Sequence, residues 1–380
     1  MQEELKSGDI LLTSEAPLGE VFLLSDDEYK FVLGQRLYGL RAKKDVIDSK
    51  FLYYSLTSST VQARLQSRAT GTTVLGIRQS ELLKTEIDYP EDLGEQRRIA
   101  HILGALDDKI ELNRQLNATL EQLARRLFQS WFVDFEPVRA KASGEPEESI
   151  CRRLGLTPEL LALFPAALED SAVGEIPLGW RLNRVGNLVN TVDYVANGSF
   201  ASLKENVHLF NEPNYALYLR LTDYNADFSN EMRFVDEASY NFLSKSSLDG
   251  SETIIANVGA NAGTVFRAPS WLGYRMTLGS NAVALKAPKA CNYVYQHFES
   301  NYGQSQLQSI ITGSAQPKFN KTSLRSLPLI MPSETILHSY ENLAGGIVNQ
   351  QDLLKAESRT LAALRDELLP KLLSGEIRLS

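Results

Sequence analysis

The sequence predicts an α+β protein built from two related modules, the first lacking its front part, separated by long helices that form an antiparallel coiled-coil pair. Three observations predict this. The stretch TGTTVLGIRQSELLKTEIDYP, Thr70 to Pro90, returns as TGSAQPKFNKTSLRSLPLIMP, Thr312 to Pro332, at a constant offset of 242 residues. VLGQRLYGLRA from Val32 returns as TLGSNAVALKA from Thr277, offset by 245. A heptad-like apolar run follows each copy.

Residues 1–92 form the partial first module. GDILLTSEAPLGEVFLL reads as two short strands around a Pro–Leu–Gly turn. FLYYSLTSSTVQARLQSRA, from Phe51, reads as helix, and its second copy is NYVYQHFESNYGQSQLQSI. Residues 93–135 form the central helical region. There Ile99, Leu103, Leu106, Ile110, Asn113, Asn117, Leu120, Ala124, Leu127 and Trp131 alternate by four and three, the seam of a coiled coil. Asn113 and Asn117 interrupt the seam, and polar seam residues set register at a cost in stability.

Residues 136–176 are a polar, turn-rich connector in which RRLGLTPELLALFP reads as a short helix. Residues 177–332 form the second module, restarting at EIPLGWRLNRVGNLV with Trp180 and Val185 in its core; SETIIANVGANAGTVF reads as strand–turn–strand. Carrying the repeat offset back from Trp180 places the start of the first module about sixty residues before Met1. Residues 333–380 form the C-terminal helical region, with a seam of Leu343, Ile347, Leu354, Leu361, Leu364, Leu368 and Leu372 and a polar middle at Gln350, Gln351 and Ser358. Two helices with apolar ends and polar centres are expected to pair, and pseudo-twofold repeats require that pairing to be antiparallel. Each helix is about 60 Å long, enough to hold two modules about 34 Å, one DNA turn, apart.

Apolar residues make up 43% and charged residues 23%, ordinary for a globular protein. Two cysteines, Cys151 and Cys291, give neither a disulfide framework nor a metal spacing, which fits a reducing cytoplasm. MQEELKSGDI is not a signal peptide, and no apolar run is long enough to span a membrane. The net charge of −8 hides two local excesses of positive charge. Tyr29 to Lys84 holds ten basic residues against three acidic ones, and Gly250 to Ile330 holds seven against two. Local positive charge is what phosphate contacts require. A duplicated basic module on paired helices suits a pseudo-symmetric partner touched in two places, and double-stranded DNA is such a partner.

Three stretches carry a family resemblance across essentially the whole chain. They are EQRRIAHILGALDDKIELNRQLNATLEQLARRLFQSWFVDFEPV from Glu95, EIPLGWR from Glu175, and TGSAQPKFNKTSLRSLPLIMP, supported by LLPKLLSGEI near the C-terminus. The sequence resembles the specificity (S) subunit of type I restriction–modification systems. The resemblance implies a non-catalytic DNA-binding subunit with two target-recognition domains, each reading half of a split site. It implies methyltransferase (M) subunits that bind S-adenosylmethionine and a restriction (R) subunit that uses ATP and Mg, so cofactors are expected on partners and none on this chain. The shortened first module departs from the family pattern. It makes a half-subunit that reads one half-site, or an assembly scaffold, the alternative expectation, and self-association a further one.

Bases are read two bonds at a time, by Arg or Lys on guanine and by Asn or Gln on adenine. Gln316, Lys318, Asn320 and Lys321 lie in one short loop interrupted by Pro317, with capping of a following helix as the structural alternative for Asn320. Arg220 and Thr222 lie at a strand end, where an ion pair with Asp223 is the alternative for Arg220. Arg275, Ser280 and Asn281 are further candidates, and Arg36, Arg78 and Gln79 are those of the first module. By offset, Arg78 and Gln79 match Asn320 and Lys321, so the two modules carry different base-edge codes.

No catalytic motif is expected. Residues 212–216, EPNYA, lack the tandem prolines of an amino-methyltransferase loop, and GANAG, Gly259 to Gly263, lacks the phosphate-loop Lys. Asp27, Glu28, Tyr29 and Lys30 contain an isolated acid–x–Lys fragment. His101, His208, His297 and His338 show no ligand spacing.

Overall fold

The computed structural model describes residues 4–25 and 32–378. Contacts divide the chain into two compact units, Met1–Gln115 with Leu354–Ser380, and Leu116–Leu353. Each long helix therefore contributes one part to each unit.

In the first unit, Ile10–Thr13 is the middle strand of an antiparallel sheet, between Val21–Leu23 and Leu37–Leu40. Side chains alternate across a strand. Ile10 and Leu12 accordingly point into a core with Leu52, Leu56, Val61 and Leu65 of the helices Ser49–Thr57 and Ser59–Ser67. The single helix expected from Phe51 is two. Ser58 ends the first at an extended backbone, and its hydroxyl accepts from the Val61 N–H to open the second. Gln62 ties this break to the sheet, its amide donating to the carbonyls of Leu56 (2.7 Å) and Gly19 (2.8 Å).

The second unit repeats this arrangement bond for bond. Thr253–Ala256 lies between Val265–Arg267 and Ala282–Lys286, and the pairing Ile10 with Leu40 recurs as Thr253 with Leu285. The helix pair recurs as Cys291–Glu299 and Asn301–Ile310, broken at Ser300, and Gln304 donates to the carbonyls of Phe298 and Gly263. A buried carboxylate braces each sheet. Asp9 accepts both guanidinium bonds of Arg41 at 2.7 Å, which hold its carboxyl below the usual range. Its counterpart Glu252 accepts from the Asp249 and Gly250 N–H groups, lies 3.8 Å from Lys286, and is pushed up by burial.

The second module carries more than the first. Asn190–Asp193 pairs along the outer edge of Ala282–Lys286. A five-stranded sheet, in the order Ser247–Leu248, Met276–Leu278, Ala216–Leu219, Phe234–Val235 and Leu209–Phe210, covers one face. Pro328–Met331 pairs with Arg181–Arg184, whereas the first-module counterpart, residues 86–89, is irregular. Trp180 and Val185 are buried as expected, and GANAG is the turn between Thr253–Ala256 and Val265–Arg267. The connector segment expected as one short helix forms two, Glu147–Leu154 and Pro158–Ala162, separated by Gly155 in the left-handed region.

The central helix Leu93–Phe128 continues as a π-helical turn, Gln129–Val133. All ten of its expected seam residues are buried or half-buried. In the first unit it runs antiparallel to the C-terminal helix Glu334–Leu373: Ile99 and Leu103 pack with Leu369 and Leu372, Asp107 pairs with Arg365 (2.6 Å), and the Asn113 amide donates to Glu357 (2.8 Å) and Ser358 (3.3 Å). In the second unit Gln351 donates to the Asn117 carbonyl (3.4 Å) and to Glu121 (3.2 Å), and Phe128 and Trp131 meet Tyr340. The seam of the C-terminal helix differs from expectation. Leu343 and Leu364 are exposed, and Ala344 and Gln351 are buried. Gln350 also lies outside, so of that pair only Gln351 enters the seam.

His297 lies wholly inside the second unit, its Nε2 2.9 Å from Gln306 Oε1, and burial pushes its imidazole down to about 4. The unfolded ring titrates near 6.5, so between these values the unfolded chain binds more protons and folding weakens as pH falls. All three tryptophans, Trp131, Trp180 and Trp271, sit in this unit. Urea unfolding followed by tryptophan fluorescence should lose roughly 3 kcal/mol from this group between pH 6.5 and 4. His297→Gln should remove that component of the slope; an unchanged slope would show that the ring is not buried neutral.

Candidate nucleic-acid interface

The candidates of the second module fall into two groups at opposite ends of the parallel strands Ala216–Leu219 and Met276–Leu278. At their C-terminal end a chain of backbone bonds gathers three loops. Gly279 N–H donates to Leu219 O (2.8 Å), Asn257 N–H to Asn281 O (3.0 Å), and Phe319 N–H to Asn257 O (3.1 Å). Gly259 N–H donates to Pro317 O (2.9 Å), and Thr312 and Lys318 exchange both backbone bonds at 2.9 Å. This brings Ser280, Asn281, Gln316, Lys318 and Asn320 to one end of the module, all exposed. Arg275 is also exposed but sits at the other end, its guanidinium 4.7 Å over the Tyr215 ring.

The loop is tight for a definite reason. Gly313 has φ +92°, and a Cβ there would meet the Gln316 carbonyl at 2.9 Å; its counterpart Gly71, at φ +129°, would meet Val74 O at 2.1 Å. A side chain at either position would open the loop. With the backbone fixed, Gln316 and Lys318 project from a rigid turn. Asn320 accepts the Ser323 N–H (2.8 Å) and caps the helix Lys321–Ser326. Its carbonyl oxygen is thus engaged, and its amide hydrogens remain for outward contact.

Two basic candidates are occupied inside the fold. Lys321 is half-buried and its ammonium lies 2.8 Å from Asp193. Arg220 pairs with the fully buried Asp223 (2.5 Å) and donates to Glu231 O (2.9 Å). Breaking such a pair leaves a buried charge without its partner, so Arg220 holds structure. Thr222 is exposed in the first turn of the helix Leu221–Asn225.

The loop framework recurs in the first module. Ser14 N–H donates to Arg36 O (2.8 Å), Ile77 N–H to Ser14 O (2.9 Å), and Thr70 and Gly76 exchange both bonds. Arg36 and Asn281 even share a left-handed backbone, φ 73° and 67°. The side chains differ. Gln316, Pro317 and Lys318 are matched by Val74, Leu75 and Gly76, and the Arg36 guanidinium pairs with Glu15 at 2.9 Å. Arg78 and Gln79 are exposed at the start of the short helix Gln79–Leu82, and the Arg78 side chain makes no capping bond there. The acid–x–Lys fragment Asp27, Glu28, Tyr29 and Lys30 lies outside the described residues.

One contributor was missed in the sequence. The turn Gly259–Ala262 stands beside Lys318 through the Val258–Lys318 bridge, and Asn261 is exposed on it. The available signal was the repeat: Glu15, the match of Val258, makes the same bridge to Gly76.

A family model described as the type I restriction modification DNA specificity domain matches residues 2–122. The HindI specificity subunit of Haemophilus influenzae is 26% identical over 418 aligned positions, covering 99% of this chain and 88% of that protein. The MjaIX specificity subunit of Methanocaldococcus jannaschii is 25% identical, covering 98% and 78%. The solved S subunit of a type I restriction–modification system from M. genitalium shares the fold, with a TM-score of 0.56 at 18% identity over 96% of this chain and 83% of that one. The chain is thus similar along nearly its whole length to specificity subunits of type I restriction–modification systems, and the match to their DNA specificity domain lies in residues 2–122. Members of this family are the non-catalytic DNA-recognition subunits of such enzymes.

Charge removal separates the two roles of lysine. Lys318→Ala should lower the slope of log affinity for DNA against log salt by about 0.9. Lys321→Ala should change that slope little and instead cost about 1 kcal/mol of stability by freeing Asp193. Equal slope changes in the two variants would contradict this division.

Proposed function

We propose that this chain supplies sequence recognition to a type I restriction–modification complex. The loop end of its second module meets double-stranded DNA, with Lys318 on phosphate and Gln316, Asn320, Ser280 and Asn281 facing base edges. The paired helices carry the surfaces for the M subunits, and the R subunit joins the assembled complex. S-adenosylmethionine, ATP and Mg are held by those partners. The observation that carries this reading is the gathering of five exposed polar side chains from separate loops onto one rigid turn framework. Rigid placement is what base readout needs, since a loop that must be ordered on binding loses affinity to that ordering.

A second reading is favoured by one observation. The first module keeps the loop framework but places exposed Val74 and Leu75 where the second has Gln316 and Pro317. Val and Leu offer no base-edge hydrogen bond, which leaves the first module fewer base-facing groups than the second and favours a single half-site read by the second. Methylome sequencing of cells carrying the chain with its cognate M subunit, against cells lacking the chain, tests both. A split asymmetric motif supports two reading modules, and a palindromic split motif supports two chains each reading with the second. Absence of any new motif would overturn the proposal. Gln316→Ala should relax the preference at one base position by about 1–3 kcal/mol without changing the salt slope.

A further inference from the structure

Strand alternation gives the five-stranded sheet of the second module two different faces. Leu217 and Leu219 point to the core shared with Ile254, Phe266 and Ala284. Ala216 and Tyr218 point the other way, into a cluster with Leu203, Val235 and Leu243. Tyr218 is 6% exposed there, and the Tyr194 ring meets it edge-on at 5.7 Å. The Tyr218 hydroxyl reaches along the neighbouring strand. Tyr218 lies beside Thr277 in the parallel pairing, and its Oη accepts the N–H of Ser280 (3.2 Å), three residues further on. Gly279 makes this approach possible. A Cβ at Gly279 would meet Tyr218 Cε1 at 3.0 Å and Leu219 O at 2.7 Å.

Three successive residues are pinned in this way. Leu219 O holds the Gly279 N–H (2.8 Å), Tyr218 Oη holds the Ser280 N–H, and the Asn257 N–H holds the Asn281 carbonyl (3.0 Å). The first and third are backbone bonds that no substitution removes. The second comes from a side chain. Asn281 also sits in the left-handed region, φ 67°, a conformation that a non-glycine residue keeps when its surroundings hold it. The Ser280 and Asn281 side chains stay exposed on this fixed backbone. Base readout needs its polar groups placed to within about 0.5 Å. We propose that Tyr218 is a positioning residue for base readout: without touching DNA, its hydroxyl fixes the backbone from which Ser280 and Asn281 face the bases. This rests on the reading that the loop end of the second module meets DNA.

The test uses the full chain in complex with its M subunit and the variant Tyr218→Phe, which keeps the ring and removes the hydroxyl. Without DNA, the Ser280 amide should exchange its hydrogen about tenfold faster in the variant while the Gly279 amide is unchanged, read by mass spectrometry. Binding is then measured on duplexes carrying the methylated motif and each of its single base-pair changes. Tyr218→Phe should lower discrimination roughly tenfold at the base positions that Ser280→Ala and Asn281→Ala relax, and at no others, with the salt slope unchanged. An equal loss of affinity on every duplex would make Tyr218 a structural residue and overturn the proposal. So would unchanged exchange at Ser280, or full discrimination by Tyr218→Phe at a position that Asn281→Ala relaxes. If neither Ser280→Ala nor Asn281→Ala relaxes any position, the DNA reading of this loop fails and the proposal falls with it, whatever the exchange at Ser280.

Discussion

The loop end of each module hangs on one residue at the end of its middle strand. Asn257 gives its N–H to the loop at Asn281 and its C=O to the loop at Phe319. Ser14 does the same between Arg36 and Ile77. These are backbone bonds, so they are indifferent to side-chain identity. Asn and Ser serve equally, and the loops they gather are free to carry different side chains. A protein that must change what it reads without changing its shape is well served by such a brace. The Gly71 and Gly313 turns complete it by closing the exposed loop with no Cβ to obstruct the carbonyl opposite.

The repeat was legible because its most constrained positions are local. The Thr–Gly turn, the serine at the helix break and the strand-pairing register each recur at nearly one offset, and each has a short-range cause. The seam of the central helix was legible for the same reason, since one unbroken four–three series picks out ten residues of its buried side. The C-terminal helix was less legible because it has more leucines than its seam can take. Leu343 and Leu364 lie outside, while Ala344 and Gln351 lie inside, because close packing and bonds to Asn117 and Glu121 decide position there. Hydrophobicity alone did not report those partners.

The site was only partly legible. The loop containing Gln316 and Lys318 stood out by composition, and its exposure follows from the turn. Lys321 and Arg220 looked equivalent to Lys318 in sequence but are held by acids. Asp193 lies 128 residues from Lys321, and no local pattern announces it. Asp223 is close to Arg220, and the ion pair was weighed in the sequence; its complete burial is what the structure adds. Arg275 and Ser280 are near in sequence yet at opposite ends of their strand, because the strand Met276–Leu278 between them is extended.

These pairings alter the meaning of the charge excess. In the second module Lys286 faces Glu252, Lys321 faces Asp193, Arg325 donates to Thr191, and Arg267 lies 3.9 Å over the Tyr295 ring. Most of the basic residues counted along Gly250 to Ile330 are therefore fixed within the fold. The affinity available from counterion release scales with the cations that reach phosphate, not with those in the sequence. A chain of net charge −8 with few uncommitted cations at the loop end of its second module has little charge there to draw DNA nonspecifically. In the proposed role that is an advantage. Discrimination is the ratio of specific to nonspecific binding, and holding the chain's own phosphate contacts low leaves that ratio to base-facing side chains such as Gln316 and Asn281. The general grip on the duplex is then a task for the partner subunits.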